Sequence, residues 1–346
     1  MSQRPVIAIT MGDPAGIGPE IALKAALDPG VRERCRPVII GSLAVLEAVN
    51  KSLGCGARLA AAEGAGGLGD AASDVPDRVD VLDLANCAPG EFEPGTVSAR
   101  CGRAAYEYIE RAIRLALAGE VKAVVTGPVH KVSLRAAGVP YPGHTEIFAA
   151  LTNTREYAMM LVAGGLRVSH VTTHVALAEV PQRVRRARVL GVIRLTHDAV
   201  KRMGIPAPRI GVAGLNPHSG EGGLFGDEDE REIRPAVLDA RSEGIAAEGP
   251  VPADTVFVKA LAGQYDAVVA MYHDQGHIPV KLSGFKVDQA SGAWTAVTGV
   301  NVTLGLPIVR TSVDHGVAFD IAGKGIARPE SMIEAVHLAA DMSASH

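Results

Sequence analysis

His174, His218 and His273 each sit where an apolar, strand-like run gives way to a polar turn, in VSHVTTHVAL, GVAGLNPHSGEG and AVVAMYHDQGH. Imidazole suits zinc and other borderline divalent metals, and three protein ligands with a fourth position open is the pattern of a catalytic rather than a structural site. Open α/β sheets gather their ligands at the carboxyl ends of strands. A single histidine in such a place is ordinarily structural; three in the same local context point to metal chemistry. His277, one helical turn beyond His273 in MYHDQGHIPVK, could replace it as a ligand, but His273 lies nearer the strand end. Asp274 and Asp254 are candidates to orient an imidazole or balance a cation.

Other segments offer groups for an anionic substrate. Arg310 follows an apolar strand in LGLPIVRTSV and can clamp a phosphate or carboxylate at two points. In YPGHTEIFA, His144 and Thr145 stand at a loop-to-helix start, where hydroxyl, imidazole and backbone N–H groups can converge on an anion, or where Thr145 merely caps the helix. TGPVHK places Gly127, Pro128 and Lys131 after a buried strand, MYHDQGHIPVK supplies Lys281, and the stretch 299–329 combines Asn301 and Arg310 with a Gly-punctuated loop. The first turn, MGDPAGIGPEIAL, runs from strand through a Gly/Pro loop into a helix opening at Pro19. Its glycines do not follow the GxGxxG spacing of a dinucleotide fold.

These side chains need a scaffold, and the composition indicates one. The chain has 346 residues, 47% hydrophobic but only 4% aromatic, so its core is built from Ala, Val, Leu and Ile, as in sheets covered by helices. Short Val/Ile runs alternate with helical patterns, which predicts an α/β fold with largely parallel strands. Residues 97–120 predict one long helix with Tyr106, Ile109, Ile113 and Leu117 on its buried face. The Gly/Ala-rich stretch 54–75 reads as a surface loop, and RVRRARVLGVIR at 183–194 as the solvated face of an amphipathic helix. The GDEDE run at 226–230 reads as the start of a helix, its carboxylates complementing the dipole. No linker separates two halves, so one catalytic unit of two lobes with shared secondary structure and a cleft is expected, lobe one at 1–125 plus 285–346 and lobe two at 126–284.

A net charge of -4 without a Lys/Arg stripe argues against nucleic acid as partner. No apolar stretch approaches the roughly 20 residues needed to cross a bilayer, and Cys35, Cys55, Cys87 and Cys101 show no CxxC spacing, so a soluble protein of a reduced cytoplasmic setting is expected.

Taken together, MGDPAGIGPEI, TGPVHK, GHTEIFA, NPHSGEGGLFG, YHDQGHIPVK, GVNVTLGLP and RTSVDHG resemble the 4-hydroxythreonine-4-phosphate dehydrogenase family of pyridoxal phosphate biosynthesis, over nearly the whole chain. GIGPE and HGVAFDIAGKGIA also resemble the wider β-decarboxylating dehydrogenases that include isopropylmalate dehydrogenase. The resemblance implies an isocitrate/isopropylmalate dehydrogenase-like fold and a homodimer whose active sites take metal ligands from both chains. It assigns a divalent metal (zinc, magnesium or cobalt) to His174, His218 and His273, counts these and Lys281 as catalytic, and gives substrate contacts to His144, Thr145, Lys281, Asn301 and Arg310. NAD or NADP would be gripped by the loop with His315, Gly316 and Asp320. The implied reaction is oxidation of 4-phosphooxy-L-threonine with decarboxylation to 3-amino-2-oxopropyl phosphate. The segment 282–300, with Trp294, looks longer than in the biosynthetic enzymes, and AFDIAGKGIA looks closer to a branch that oxidises 4-phospho-D-threonate or 4-phospho-D-erythronate to dihydroxyacetone phosphate. Read without the resemblance, the three histidines would serve a metal-dependent hydrolase or aldolase as well.

Overall fold

Fourteen strands and the helices between them are seen in the computed structural model, which describes residues 4–62, 75–287 and 294–344. The strands are β1 (Val6–Thr10), β2 (Arg36–Gly41), β3 (Arg58–Ala61), β4 (Arg78–Asp83), β5 (Ala123–Thr126), β6 (Ala158–Ala163), β7 (Leu166–His170), β8 (Arg209–Ala213), β9 (Ala246–Val251), β10 (Ala267–Ala270), β11 (Phe285–Val287), β12 (Trp294–Val297), β13 (Val300–Leu304) and β14 (Val309–Val313). By contact they divide into two units, residues 1–155 with 306–344 and residues 156–305. Residues 126–155 thus pack with the first unit and 285–305 with the second, where the reading of the sequence had set limits at 125 and 285.

In the first unit six strands lie in the order β3-β4-β2-β1-β5-β14, all parallel. Buried on both faces, the inner strands read as continuous apolar runs: Ile7, Ile9, Ile39, Ile40, Val124 and Val125 are fully buried. Each such side chain contributes roughly 1.5–3 kcal/mol. Connections diverge to opposite sides of β1, which makes the carboxyl ends of β1 and β5 a switch point. The backbones there meet closely. Gly12 has a φ of +76°, and a Cβ on it would lie 2.5 Å from the Pro128 carbonyl oxygen.

The long helix is Ala99–Leu117, capped by the Ser98 hydroxyl, and Ile109 and Ile113 are buried as expected. Tyr108, Ala112 and Leu115 complete its inner face, whereas Leu117 is 51% exposed and Tyr106 stacks on Tyr141 at 6.5 Å. The expected loop at 54–75 contains β3, a half-exposed edge strand paired with β4; residues 63–74 of that stretch lie outside the described residues.

The second unit has the order β13-β6-β7-β10-β8-β9. β7, β10, β8 and β9 are parallel, but β6 pairs antiparallel with both β7 and β13. β6 and β7 form a hairpin closed by Gly164 and Gly165, where a strand-helix rhythm had been expected. Leu161, Val168, Val268, Val256 and Phe257 are among its buried core. β11 and β12 form a separate antiparallel pair. They fall in the segment 282–300, of which residues 288–293 are outside the description. The basic run at 183–194 enters the helix Arg186–Arg202, with Val189, Val192 and Ile193 inward and Arg186 and Arg194 paired with Asp239 and Glu243. No helix among the described residues is long and apolar enough to cross a membrane.

Candidate active site

The candidate residues fall into two clusters, one in each unit. His144, Thr145, Arg310, His315, Gly316 and Asp320 belong to the first; His174, His218, His273, Lys281 and Asn301 belong to the second.

In the first unit Arg310 is no surface charge. It lies within β14, opposite Val124 of β5, and is only 2% exposed. Its Nη2 donates to the Thr126 hydroxyl at 2.6 Å, and the guanidinium stands 5.5 Å from the Phe148 ring centre. Burial pushes its pKa down to about 9, partly offset by Glu146, so it remains a cation at neutral pH. His144 opens the helix His144–Leu151 behind Gly143, the residue that occupies the capping position; Thr145 is one turn-position inside and does not cap. Burial, and then the Arg310 charge, hold the His144 imidazole well below its ordinary pKa, against a hydrogen bond to the Gly127 backbone. The ring is therefore neutral. Its Nε2 is buried without a hydrogen-bond partner. A buried cation beside a neutral imidazole suits an oxyanion carrying a neighbouring hydroxyl.

The loop expected to grip the cofactor packs on the first turn. Ile17 N–H donates to Val317 at 3.0 Å, and a Cβ on Gly16 would lie 2.9 Å from that of Val317. Glu20, 3% exposed, accepts from the Ala327 amide at 2.9 Å and from Lys24 at 2.7 Å, while Lys24 also donates to the Gly325 and Ala327 carbonyls. Phe319 stacks on His130 at 4.7 Å. His315 donates from Nδ1 to the Gly316 carbonyl at 2.9 Å, and burial lowers its pKa. Asp320 is exposed on the short turn Phe319–Ile321. Beside this turn, Pro14, Pro19, Leu53, Phe92 and Gly323 help line a cavity of about 240 Å³. Asp13 is buried, its pKa raised by desolvation, with Oδ1 accepting from the Ala15 amide at 3.0 Å.

In the second unit the three strand-end histidines follow β7, β8 and β10, which are adjacent and parallel. His174 and His273 come together, their rings 5.6 Å apart at a cavity of about 380 Å³. His273 begins the helix His273–Gly284, and its Nδ1 is 2.7 Å from Asp274, one of the two carboxylates expected to orient an imidazole. His277, the alternative ligand, stacks on the His273 ring at 3.6 Å. His277 Nδ1 donates to the His273 carbonyl at 2.9 Å, and burial pushes its pKa down to about 4. Beyond it lies His170, 4.7 Å away, fully buried, with Nδ1 donating to the Met159 carbonyl at 3.3 Å and a pKa pushed down by burial to about 3. His170 was not singled out from sequence; a histidine closing a buried strand four residues before His174 was the available signal. Lys281 is exposed two turns along the helix, its ammonium 5.3 Å from the Phe285 ring centre. Asn301 sits on β13 opposite Leu161, its Oδ1 buried without a partner.

His218 stands apart. Among the described residues no three His, Cys, Asp or Glu side chains are grouped to hold a metal ion. The donor set fits a divalent cation in kind, two neighbouring imidazoles with one oriented by a carboxylate; of the three histidines expected as ligands, the described residues group these two. His218 (φ 52°), Ser219 (φ 56°), Gly220 (φ 79°), Glu221 (φ 43°) and Gly222 (φ 68°) form a left-handed run. Each of the three non-glycine residues costs about 1–2 kcal/mol there. The acidic stretch after it is a single π-helical turn, Asp229–Ile233, continued by the helix Arg234–Ser242; Asp229 is turned inward rather than toward solvent.

A largely parallel α/β fold with imidazoles beyond its strand ends and a buried cation within β14 is of the isocitrate/isopropylmalate dehydrogenase-like type, and by its relatives the protein is an oxidoreductase. Residues 33–339 match the family described as pyridoxal phosphate biosynthetic protein PdxA, and the chain belongs to that family. It is 51% identical to a putative D-threonate 4-phosphate dehydrogenase of Bradyrhizobium diazoefficiens, over 98% of each chain. It is 47% identical to D-threonate 4-phosphate dehydrogenase of Salmonella typhimurium, over 97% of this chain and 98% of that one. The crystal structure of a 4-hydroxythreonine-4-phosphate dehydrogenase from Burkholderia phymatum matches with a TM-score of 0.84 and 44% identity, covering 98% of both chains. The hydrolase or aldolase use of the histidines is thereby set aside.

Proposed function

We propose that the protein oxidises D-threonate 4-phosphate at its 3-hydroxyl, passing hydride to NAD+ or NADP+, and that the resulting β-keto acid loses carbon dioxide to leave dihydroxyacetone phosphate. The observation that carries the reading is Arg310, a buried cation held by Thr126 beside a neutral His144. Such a pair suits the phosphate or carboxylate of the substrate, while the His144 Nε2 lone pair would accept from a hydroxyl. Thr145, at the start of the same helix as His144, would add a hydroxyl to that contact. His315, Gly316 and Asp320 would border the nucleotide, on a loop that Glu20 and Lys24 hold to the first turn.

His174 and His273, with His218 from a second copy of the chain, would hold a divalent cation, whose chemistry when bound is to stabilise negative charge on the alcohol and keto oxygens. Within this chain, Asp274 fixes the His273 ring and His277 backs it, so the imidazole is presented with little freedom to rotate.

The relatives at 51% and 47% identity favour the threonate over the first expectation, 4-phosphooxy-L-threonine, in their names. The amino acid phosphate remains a second reading because the Burkholderia structure carries that name. The two substrates differ at C2, a hydroxyl against an ammonium, and a site built for one leaves a buried group unpaired with the other. Steady-state kinetics with both acids tests this: kcat/KM should favour D-threonate 4-phosphate by more than about tenfold, roughly 1.4 kcal/mol. The opposite preference overturns the choice of substrate.

A further inference from the structure

We propose that Asp229 is a positioning residue for His218, its buried carboxylate holding the base of the left-handed run that carries the imidazole. The proposal rests on the reading of His218 as a metal ligand. β8 ends at Ala213, and Asp229 is fully buried beneath the loop that follows. Oδ1 accepts from the Leu215 amide at 2.9 Å, and Oδ2 accepts from both the Asn216 amide and the Asn216 side chain at 3.0 Å. His218 lies two residues on, where the left-handed run begins.

The packing leaves no room for a looser arrangement. A Cβ on Gly214 would lie 2.8 Å from Asp229 Oδ1 and 2.7 Å from the Ser219 hydroxyl. One on Gly226, where the loop returns, would meet Glu228 Oε2 at 2.7 Å and Asn216 Nδ2 at 2.8 Å. Asn216 also donates to Glu228 at 2.8 Å, so its side chain is gripped from two carboxylates. Left-handed backbone at non-glycine residues persists only where surrounding contacts over-determine it, and such positions concentrate at functional sites. Only a carboxylate can accept all three N–H groups through both of its oxygens; an amide offers one oxygen and turns a donor toward a donor. Asp229 therefore acts on the site through backbone, without reaching the substrate itself.

The test compares full-length wild-type protein with Asp229→Asn, Asp229→Ala and His218→Ala. Zn2+ affinity is measured by calorimetry on dialysed protein, amide hydrogen exchange is followed across residues 214–223, and kcat and KM are determined separately. Asp229→Asn should weaken Zn2+ binding about 10–100-fold, the range for residues that orient a ligand. It should also speed exchange in 215–223 and lower kcat more than it raises KM, with the thermal midpoint nearly retained. Asp229→Ala should do all of this more strongly, and if it does not fold the Asn variant decides. If His218→Ala loses Zn2+ while both Asp229 variants bind it like wild type, the positioning role is wrong and the ligand reading stands. Should His218→Ala bind Zn2+ like wild type, the ligand reading fails and the role assigned to Asp229 falls with it.

Discussion

Arg310 carries the proposed substrate contact, and burial is what sets it apart from a surface arginine. A guanidinium only 2% exposed, donating to the Thr126 hydroxyl and set against the Phe148 ring, is desolvated in the folded chain. Arg310→Ala is expected to lose about 2–4 kcal/mol of transition-state binding. Arg310→Lys should not restore it, because a point charge cannot reproduce the planar fork. Measured kcat/KM settles the matter, and wild-type efficiency in Arg310→Ala would remove the residue from the site. His170 makes a different kind of prediction. Its pKa is pushed by burial to about 3 from an ordinary 6.5, so the folded protein keeps it neutral while the unfolded chain takes up a proton. Its contribution to stability is complete above pH 6.5 and declines as the pH falls from there toward 3. His170→Gln, which does not titrate, should therefore flatten the pH dependence of the urea midpoint between pH 7.5 and 5. Equal slopes for variant and wild type would contradict this.

At the level of elements, the tie between the first helix and the 315–327 loop has a measurable consequence. Glu20→Ala removes the acceptor of the Ala327 amide and the partner of Lys24 at once, and should cost about 1–3 kcal/mol in stability as buried donors lose their acceptor. It should raise KM for the nucleotide more than KM for the acid; a proportional rise in both would separate the loop from cofactor binding. The strands and helices that place these groups were legible from apolar runs alternating with helical patterns, because parallel strands buried on both faces must be continuously apolar. The reversal at β6 and β7 was missed, although Gly164–Gly165 between two apolar runs is a hairpin signal. The edge strand β3 was hidden by a composition that buries little. Of the candidate site, the nearness of His174 and His273 follows from two histidines placed after neighbouring strands, whereas Arg310, expected after its strand, lies inside β14. Asp229 could not be anticipated, since charge patterning alone does not distinguish a carboxylate facing solvent from one turned under a loop.

For the whole molecule, one cation held by His174, His218 and His273, as proposed, requires a second copy, because the described residues of one chain group two of the three. The proposed second copy would supply His218, and the second unit exposes an apolar surface for it to cover. Val258 and Leu261 on the helix Ala253–Leu261, and Ile278 and Leu282 on the helix His273–Gly284, are between 58% and 78% exposed around a groove of about 580 Å³ that also borders Asp274. Contiguous apolar exposure of this kind marks interaction surfaces. The arrangement predicts complementation. His218→Ala and His273→Ala should each be inactive alone. Mixed in equal amounts after dissociation and reassembly, half the dimers pair one of each, and each such dimer has one site with both residues intact and one with neither, so about one quarter of wild-type activity should return. Ligands drawn from one chain would return none, because every site would then lack one histidine. A fully active monomer in sedimentation would remove the second copy from the chemistry altogether.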